Sequence, residues 1–257
     1  MLTAEITACA QLVERGDPDR FIASMAAPPA VRRVLFPLYA FNLEVSRAPW
    51  LTQEPMIGEM RLQWWRDALD EIAQGGPVRR HEVATPLASV LSAEATAPLD
   101  ALILARRWDL YREPFEDEAA FTAYIEATAA GPLHAAALSL GAAPAEVLAD
   151  AGFALGLANW FRAIPALEAA GRFPLPDGRP EAVRALALQG LERLARARAR
   201  RAEVSPEVAP VLLSAWQAGA ILRQVRAAPA RVAQGQLGQS ELARRGGLML
   251  RALSGRW

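Results

Sequence analysis

Apolar residues recur at intervals of three and four along most of this chain, and this helical spacing limits its fold more than any other feature. Ile6, Cys9, Ala10 and Val13 form one such series, and another follows within residues 34–45. The spacing places apolar side chains on one face of an α-helix. Alanine, the strongest helix former, makes up about a fifth of the chain, and β-branched alternation is scarce. The sequence therefore predicts an all-α protein.

Proline and glycine divide this helical pattern into about eight to ten segments. Asp17 is expected to cap a helix that has Pro18 in its first turn, and the acidic residues 116–118 are expected at another helix start. We find no repeat and no low-complexity linker between the segments. We therefore interpret residues 1–257 as a single domain.

The composition excludes several classes of function. The chain has 28 basic and 28 acidic residues, so no excess of positive charge favours nucleic acid as a partner. Every basic residue is arginine, which excludes a P-loop and Schiff-base chemistry, because both need lysine. The single cysteine, Cys9, and the isolated His81 and His134 do not form a ligand set of a cysteine or histidine metal site.

Targeting and membrane-spanning segments are not indicated either. The N-terminal segment contains Glu5 and lacks the basic region and apolar core of a signal peptide. The longest apolar stretch, residues 211–222, is too short to span a bilayer and includes Gln217. We therefore expect a cytoplasmic protein that contacts a membrane, if at all, peripherally.

Two arginine-rich segments have alternative interpretations. Residues 191–201 read LERLARARARR, and residues 242–257 read LARRGGLMLRALSGRW. Both could contact anionic lipid or an acidic partner. A solvated helix face explains the same pattern.

A carboxylate cluster and a tryptophan pair are the first candidates for a site. Asp67, Asp70 and Glu71 lie at a spacing that places them on one helix face, where they could hold magnesium with a diphosphate. A solvated acidic face is the alternative. Trp64 and Trp65 point in different directions on a helix, so at least one is expected in the core while the other borders a groove.

Three segments together carry a resemblance to a known family. They read RFIASMAAPPAVRRVLFPLYAF (residues 20–41), TAYIEATAAGPLHAAALSLG (122–141) and GFALGLANWFRAIPALEAAGRFPLP (152–176). In order and spacing they resemble the squalene/phytoene synthase family, in which Y-A-F precedes C-R-x-x-D-D-x-x-D. The family's later motif, N-x-x-R-D-x-x-E-D-x-x-x-G-R-x-Y-L-P, aligns without gaps and keeps these residues: Asn159, Arg162, Gly171, Arg172, Leu175 and Pro176. The resemblance is clearest over residues 20–176.

This resemblance implies an isoprenoid synthase-like helical bundle around a central cavity. In the family, two facing aspartate motifs bind magnesium ions that hold and ionise prenyl diphosphates. Clustered carboxylates are needed there because a diphosphate leaving group requires clustered hard cations. This chain has other residues at the motif positions: Ser46, Arg47 and Trp50 in the first motif, and Ala163, Ala166 and Leu167 in the second. We therefore expect no catalytic residues and no metal cofactor at these positions.

Other residues near the motifs are candidates for lining a pocket. They are Tyr39, Asn42, Glu44, Arg47, Trp64, Asn159, Arg162 and Arg172. Three of the arginines could clamp a phosphate bidentately; helix-end packing and internal ion pairs are the alternative. A guanidinium would not ionise a diphosphate as magnesium does, because it spreads a single charge.

The replacements resemble one branch of the family, which contains a respiratory complex I assembly factor and its α-proteobacterial relatives. The residues concerned are Phe41, Asn42 and Glu44, the block EPMIGEMRLQWWRDAL (residues 54–69), and F-R-A-x-P (residues 161–165). This resemblance implies a non-catalytic helper that binds a complex I subunit or assembly intermediate near the inner membrane.

Three hypotheses follow from the sequence. The first is the non-catalytic assembly protein. The second is a prenyltransferase that acts on prenyl diphosphates with magnesium and altered ligands such as Asp67, Asp70 and Glu71. The third is a carrier that retains the cavity for a lipid or isoprenoid and has lost the chemistry.

Overall fold

The computed structural model describes residues 3–52 and 54–257, and all regular secondary structure in these residues is helical. The α-helices are α1 (Ala4–Gly16), α2 (Pro18–Ala26), α3 (Pro29–Arg47), α4 (Pro55–Ala73), α5 (Ala84–Ala88), α6 (Thr96–Arg106), α7 (Glu118–Ile125), α8 (Gly131–Leu140), α9 (Ala145–Ala169), α10 (Pro180–Ala199), α11 (Ala218–Ala227) and α12 (Glu241–Ser254). Short 3₁₀ turns and one π-helical segment (Glu126–Ala130) connect some of them. The prediction of an all-α protein is confirmed.

The helix starts follow the capping residues of the sequence. The Asp17 carboxylate accepts a hydrogen bond from the Arg20 backbone N–H at 2.9 Å, and Pro18 occupies the first turn of α2. Asp117 caps α7 in the same way, accepting from the Ala120 N–H at 2.7 Å. Both starts lie where the sequence predicted them, because a capping carboxylate satisfies N–H groups that have no partner within the helix.

Apolar side chains form two clusters, one on each side of the bundle. The first contains the buried faces of α1, α3, α4, α6 and α8. The second joins α7, α9, α10 and α11, and includes Phe121, Phe153 and Phe161, which are fully buried. Helices α3 and α9 are buried over most of their length, so the side chains that they expose to the interior are well placed to line a central cavity.

Helix α9 and the π-helical segment approach each other so closely that only glycine fits at two positions. A Cβ atom on Gly152 would lie 2.4 Å from the Ala130 Cβ, and one on Gly156 would lie 2.6 Å from the Ala129 Cβ. A π-helical insertion displaces the backbone locally and often occurs at functional sites. The contact fixes the middle of α9 against the π-helical segment.

Among the residues that the structure describes, no helix has the length and apolarity needed to cross a membrane.

Candidate functional site

A central cavity of about 530 Å³ opens between the ends of several helices. Its walls come from the α1–α2 junction, the C-terminal end of α3, the π-helical segment, the second half of α9 and the segment 214–221. The volume lies in the range of small-molecule sites, which extends from about 300 to 1,000 Å³. The cavity is therefore the candidate functional site.

The two motif regions face this cavity from opposite helices. Ser46 and Trp50 line it from the end of α3 and the turn that follows, and Ala163 and Leu167 line it from α9. Arg47 and Ala166 do not line it; both are exposed to solvent. The structure thus brings together four of the six motif positions named from the sequence.

These four side chains are not a ligand set for magnesium. Ser46 supplies the single oxygen among them, and its hydroxyl donates to the Leu43 carbonyl at 2.9 Å. Magnesium takes oxygen ligands in an octahedral arrangement and is bound in proteins mainly through carboxylates. In the described ranges, 3–52 and 54–257, no three His, Cys, Asp or Glu residues come together as a metal site.

The cavity does contain carboxylates, but each one has partners within the protein. Asp17 caps α2 and pairs with Arg20 at 3.2 Å. Asp19 accepts from Arg162 at 3.0 Å and also from Arg244 of α12. Asp19 therefore ties α2 to α9 and α12 at the cavity wall.

The charges around Asp19 set its protonation. Burial of the Asp19 carboxyl works to raise its pKa, but the hydrogen bond and charge of Arg162, with further bonds from Gln217 and Arg244, outweigh burial. The net effect holds the Asp19 pKa below its usual value, so the carboxylate is ionised at neutral pH. Arg162 is thereby neutralised by Asp19.

A buried triad of Arg106, Asp109 and Tyr124 forms another part of the wall. The Arg106 guanidinium donates to the Asp109 carboxylate at 3.0 Å and to the Tyr124 hydroxyl at 2.7 Å, and that hydroxyl donates to Asp109 at 2.9 Å. Asp109 is only 2% exposed. Burial, opposed by the Arg106 charge, raises the Tyr124 pKa well above its usual value, so the hydroxyl remains a donor.

Sequence reasoning missed this triad. Residues 106–109 read RRWD and resemble the solvated end of a helix, while Tyr124 lies 15 residues beyond Asp109. One signal was available: Tyr124 occupies the tyrosine position of the segment that resembles the family's Y-x-x-x-V-A-G-x-V-G. The aromatic rings of Trp108, Phe115 and Trp160 surround it and exclude water.

The candidate phosphate clamp is divided among separate partners. Arg172 stacks on Trp50, with its guanidinium carbon 5.2 Å from the ring centre, and donates to the Asp109 carbonyl at 2.7 Å and to the Tyr111 carbonyl. Arg162 binds Asp19, and Arg47 is exposed beside Gly16. Two of the three guanidinium groups are therefore held within the protein, Arg162 by a carboxylate and Arg172 by backbone carbonyls.

The remaining candidate pocket residues lie in three different places. Asn159 lines the central cavity. Glu44 and Trp64 instead line a second groove of about 430 Å³ beside α4, together with Met60. The centre of the Trp64 ring lies 5.0 Å from the guanidinium carbon of Arg79 and 4.9 Å from the centre of the His81 ring. Trp65 is buried, which fits the interpretation that one tryptophan enters the core and the other borders a groove.

Tyr39 and Asn42 are buried on α3 and do not line the central cavity. The Arg20 guanidinium lies 5.2 Å from the centre of the Tyr39 ring. The Asn42 side-chain oxygen has no hydrogen-bond partner among the described residues. The Tyr39 hydroxyl likewise has no partner among the described residues.

The acidic residues of α4 lie outside the central cavity. Glu71 accepts from the Arg79 side chain at 2.7 Å and from its backbone N–H at 2.8 Å. Asp67 accepts from Gln63 at 2.7 Å, and Asp70 is exposed. In this arrangement Glu71 is paired with Arg79, and all three carboxylates lie at the protein surface away from the cavity.

Comparison with known proteins places this geometry in context. The family described as Squalene/phytoene synthase matches residues 13–178. A crystal structure of a dehydrosqualene synthase in complex with ligand superposes with a TM-score of 0.76 at 15% identity, covering 97% of this chain and 95% of that one. Squalene synthase HpnC from Alicyclobacillus acidocaldarius gives a TM-score of 0.70 at 18% identity, covering 91% and 95%. The expectation of an isoprenoid synthase-like bundle around a cavity is confirmed.

Curated relatives match a shorter part of the chain. The assembly factor 6 homolog of NADH dehydrogenase (ubiquinone) complex I from Drosophila melanogaster is 42% identical over 64 residues, which are 24% of this chain and 19% of that protein. Assembly factor 6 from Bos taurus is 32% identical over 69 residues, 27% and 21% of the two chains, and the Homo sapiens protein is 30% identical over the same shares. The chain thus matches about a fifth of the length of these relatives.

Proposed function

The chain belongs to the squalene/phytoene synthase family, and from this premise we propose that it is a non-catalytic member that assists the assembly of respiratory complex I. One observation carries the proposal. At the cavity wall, the positions of the family's aspartate motifs hold Ser46, Trp50, Ala163 and Leu167. The partial similarity to complex I assembly factor 6 supports the assembly role.

A prenyltransferase reaction is not expected because the leaving diphosphate carries negative charge that must be neutralised. Ionisation of a prenyl diphosphate needs divalent cations that neutralise the leaving group, and carboxylates must hold those cations. The cavity carboxylates Asp17, Asp19 and Asp109 each have an arginine partner. Recruiting them to a metal would leave those arginines without their counter-ions.

The partner in this proposal is a complex I subunit or an assembly intermediate. We place the protein in the cytoplasm, in peripheral contact with the inner membrane where complex I is assembled. We assign it no nucleic-acid partner and no cofactor.

Deleting the gene tests the assembly role. The expected result is a lower complex I content and weaker NADH-linked respiration, with succinate-linked respiration unchanged because it bypasses complex I. A plasmid carrying the wild-type gene should restore both, and an empty plasmid should not. Normal complex I content in the deletion strain would contradict the proposal.

An assay with purified protein tests the absence of catalysis. Incubation with farnesyl or geranylgeranyl diphosphate and magnesium should release no diphosphate above the buffer control. The opposite outcome is specific: release of diphosphate that is abolished by Asp67→Ala would establish a prenyltransferase with altered ligands.

The cavity volume favours a second candidate function, that of a lipid or isoprenoid carrier. The space of about 530 Å³ remains open although the motif residues have changed, and apolar Leu155, Leu167 and Ile221 contribute to its wall. Native mass spectrometry of the purified protein tests this candidate. A retained lipid or isoprenoid of defined mass supports the carrier, and a protein of sequence mass alone argues against it.

A further inference from the structure

The two halves of helix α12 are attached to the rest of the protein in different ways. In the first half, residues 241–245, no residue is buried, and Leu242 is 85% exposed. The second half contains Leu248, which packs in the first apolar cluster, and leads to Trp257, which is 2% exposed. A segment with few buried apolar contacts opens locally at low cost. The first half is therefore the part of α12 that detaches most readily.

Polar bonds attach this first half to the wall of the central cavity. The Arg244 guanidinium pairs with Asp19 of α2, and the Arg244 carbonyl accepts from the Trp216 indole N–H at 3.3 Å. Asp19 and Trp216 both line the cavity. Helix α12 packs on α2 and on residues 209–215. The first half of α12 thus bridges two parts of the cavity wall that come from different elements.

Release of this bridge leaves no charge without a partner. Asp19 would keep its pair with Arg162 at 3.0 Å, and Arg244 would keep its pair with Glu241 at 2.8 Å. Breaking an ion pair is most costly where it leaves one charge buried and unpaired. The bond between Arg244 and Asp19 can therefore break and form again without unfolding the cavity wall.

Gly246 and Gly247 separate the two halves of α12. Glycine inside a helix weakens it relative to alanine. The packing does not require glycine at either position: a Cβ atom on Gly246 would meet nothing within 4 Å, and one on Gly247 would lie 3.4 Å from the Arg251 guanidinium, an ordinary contact. Neither glycine has a positive φ. Hinges are short segments, often of small residues, that absorb a backbone rotation, and this glycine pair has that character.

We infer that residues 241–245 form a latch, hinged at Gly246 and Gly247, that opens a lateral entrance to the central cavity between α2 and residues 214–217. The structure shows the closed latch, in which Arg244 bonds to both sides of the entrance. In the open latch these bonds are broken, while Leu248 and Trp257 keep the second half of α12 in place. The latch controls access to the cavity and does not depend on the assembly role.

The labelling rate of a cysteine beside the latch measures its opening. Ser214 lines the cavity and is 6% exposed, so Ser214→Cys in the full-length protein is protected while the latch is closed. Iodoacetamide is the probe, and its reaction rate follows the open population when closing is faster than labelling. The native Cys9 does not interfere, because burial together with Glu82 and Glu5 raises its pKa to about 12.

Two changes to the latch should alter this rate in opposite directions. Arg244→Gln removes the charge-assisted bond to Asp19, so labelling at residue 214 should become at least about tenfold faster. The double variant Gly246→Ala, Gly247→Ala strengthens the helix across the hinge, so labelling should become about fivefold slower or more. A failure to fold would not produce slower labelling. Unchanged rates in both variants would overturn the latch.

Control variants separate the latch from a general loosening of the protein. Arg245→Gln removes an exposed arginine of the same helix that pairs with Glu241, and the rate at residue 214 should not change. Thr96→Cys places a thiol at a position that is 8% exposed and lies outside the cavity. Its labelling should be the same with and without Arg244→Gln. Equal acceleration at residues 96 and 214 would overturn the inference.

Hydrogen exchange locates the hinge. In Arg244→Gln the amides of residues 244–247 should exchange at least about fivefold faster, whereas those of residues 250–253 should not change because Leu248 and Trp257 hold that half. Faster exchange along the whole helix would show that α12 detaches as one body and would overturn the hinge. All these measurements use purified protein, so they are independent of the complex I content that tests the proposed function.

Discussion

The central cavity and a group of arginines near Trp257 are both rich in positive charge, yet the arginines of the two regions have different partners. In the cavity, Asp19 binds Arg162 and Arg244, and Asp109 binds Arg106. The second group, the arginine cluster, consists of Arg198, Arg201, Arg223, Arg251 and Arg256. Within the described residues none of the five pairs with an Asp or Glu side chain, and two of them donate to the oxygen of Trp257 instead. Each of these cavity arginines therefore has a side-chain carboxylate, whereas the arginines of the cluster outnumber their acceptors.

This difference has consequences for stability. Charges that are paired inside the cavity hold α2, α9 and α12 together and are not available to a metal or a diphosphate. Like charges that outnumber their acceptors repel one another and reduce stability. Removing a charge should therefore have opposite consequences in the two regions.

The largest effect is expected for Asp109→Ala. The change would leave the Arg106 guanidinium buried without its carboxylate, and breaking a buried pair costs about 3–5 kcal/mol of the free energy of unfolding. Urea denaturation followed by circular dichroism measures this loss. The matched control is Asp177→Ala, which breaks a solvent-exposed pair with Arg179 and should change stability far less, because water screens that pair. A similar small loss for both variants would show that the triad does not hold the cavity wall.

An intermediate effect is expected for Asp19→Asn. The amide would keep the shape of the carboxyl and an oxygen that accepts from arginine, but would lose the negative charge that strengthens the bonds to Arg162 and Arg244. A total loss of about 1.5–3 kcal/mol is therefore expected. Urea denaturation at pH 7 measures it. Asp70→Asn, on an exposed residue of α4, should stay within about 0.5 kcal/mol of the wild type.

The pH dependence of the Asp19 variant provides an independent check. The Asp19 pKa in the folded protein lies below its ordinary value of 3.8, so its contribution is present above that pH and is lost as the pH falls through the folded pKa. The difference between wild type and Asp19→Asn should therefore shrink between pH 5 and pH 3. A difference that stays constant over this interval would contradict the assigned role of the ionised carboxylate.

The helices could be predicted from sequence because apolar spacing and capping residues are local, whereas the motif positions were assigned from the family resemblance. Apolar spacing located the buried faces of α1 and α3, and Asp17 and Pro18 located the start of α2. Ser46 and Trp50 share one cavity wall because they are four residues apart at the end of a helix. The same reasoning places Ala163 and Leu167 on one face of α9.

The ion pairs of the cavity could not be predicted in this way. Asp19 and Arg162 are separated by 143 positions in the chain, and Asp19 and Arg244 by 225. A contact at such separation depends on how helices pack, which a helical period does not encode. Trp64, a candidate pocket residue, lies in the groove beside α4 for the same reason. The helical period indicates which face of α4 carries Trp64, but it does not indicate which part of the protein that face contacts.

The smallest effect is expected for Arg223→Gln, and its sign is opposite to that of the cavity variants. Removing Arg223 relieves repulsion on Arg198 and Arg251, so the free energy of unfolding should rise by roughly 0.5 kcal/mol at low salt. At 1 M salt the Debye length is only about 3 Å, so the gain should disappear.

The matched control for this change is Arg193→Gln, since Arg193 of α10 pairs with Asp150 at 2.7 Å and with Glu126 at 2.5 Å. That variant should be less stable than the wild type under the same conditions, because it leaves carboxylates without their cation. Burial and neighbouring arginines lower the Arg198 pKa to about 10 in the folded protein. The positive charge of Arg198 therefore reduces the free energy of unfolding at every pH below about 10, and this loss of stability is relieved only above that pH. If Arg223→Gln and Arg193→Gln both lowered stability, the arginine cluster would be a paired, structural feature like the cavity, and the contrast between the two regions would fail.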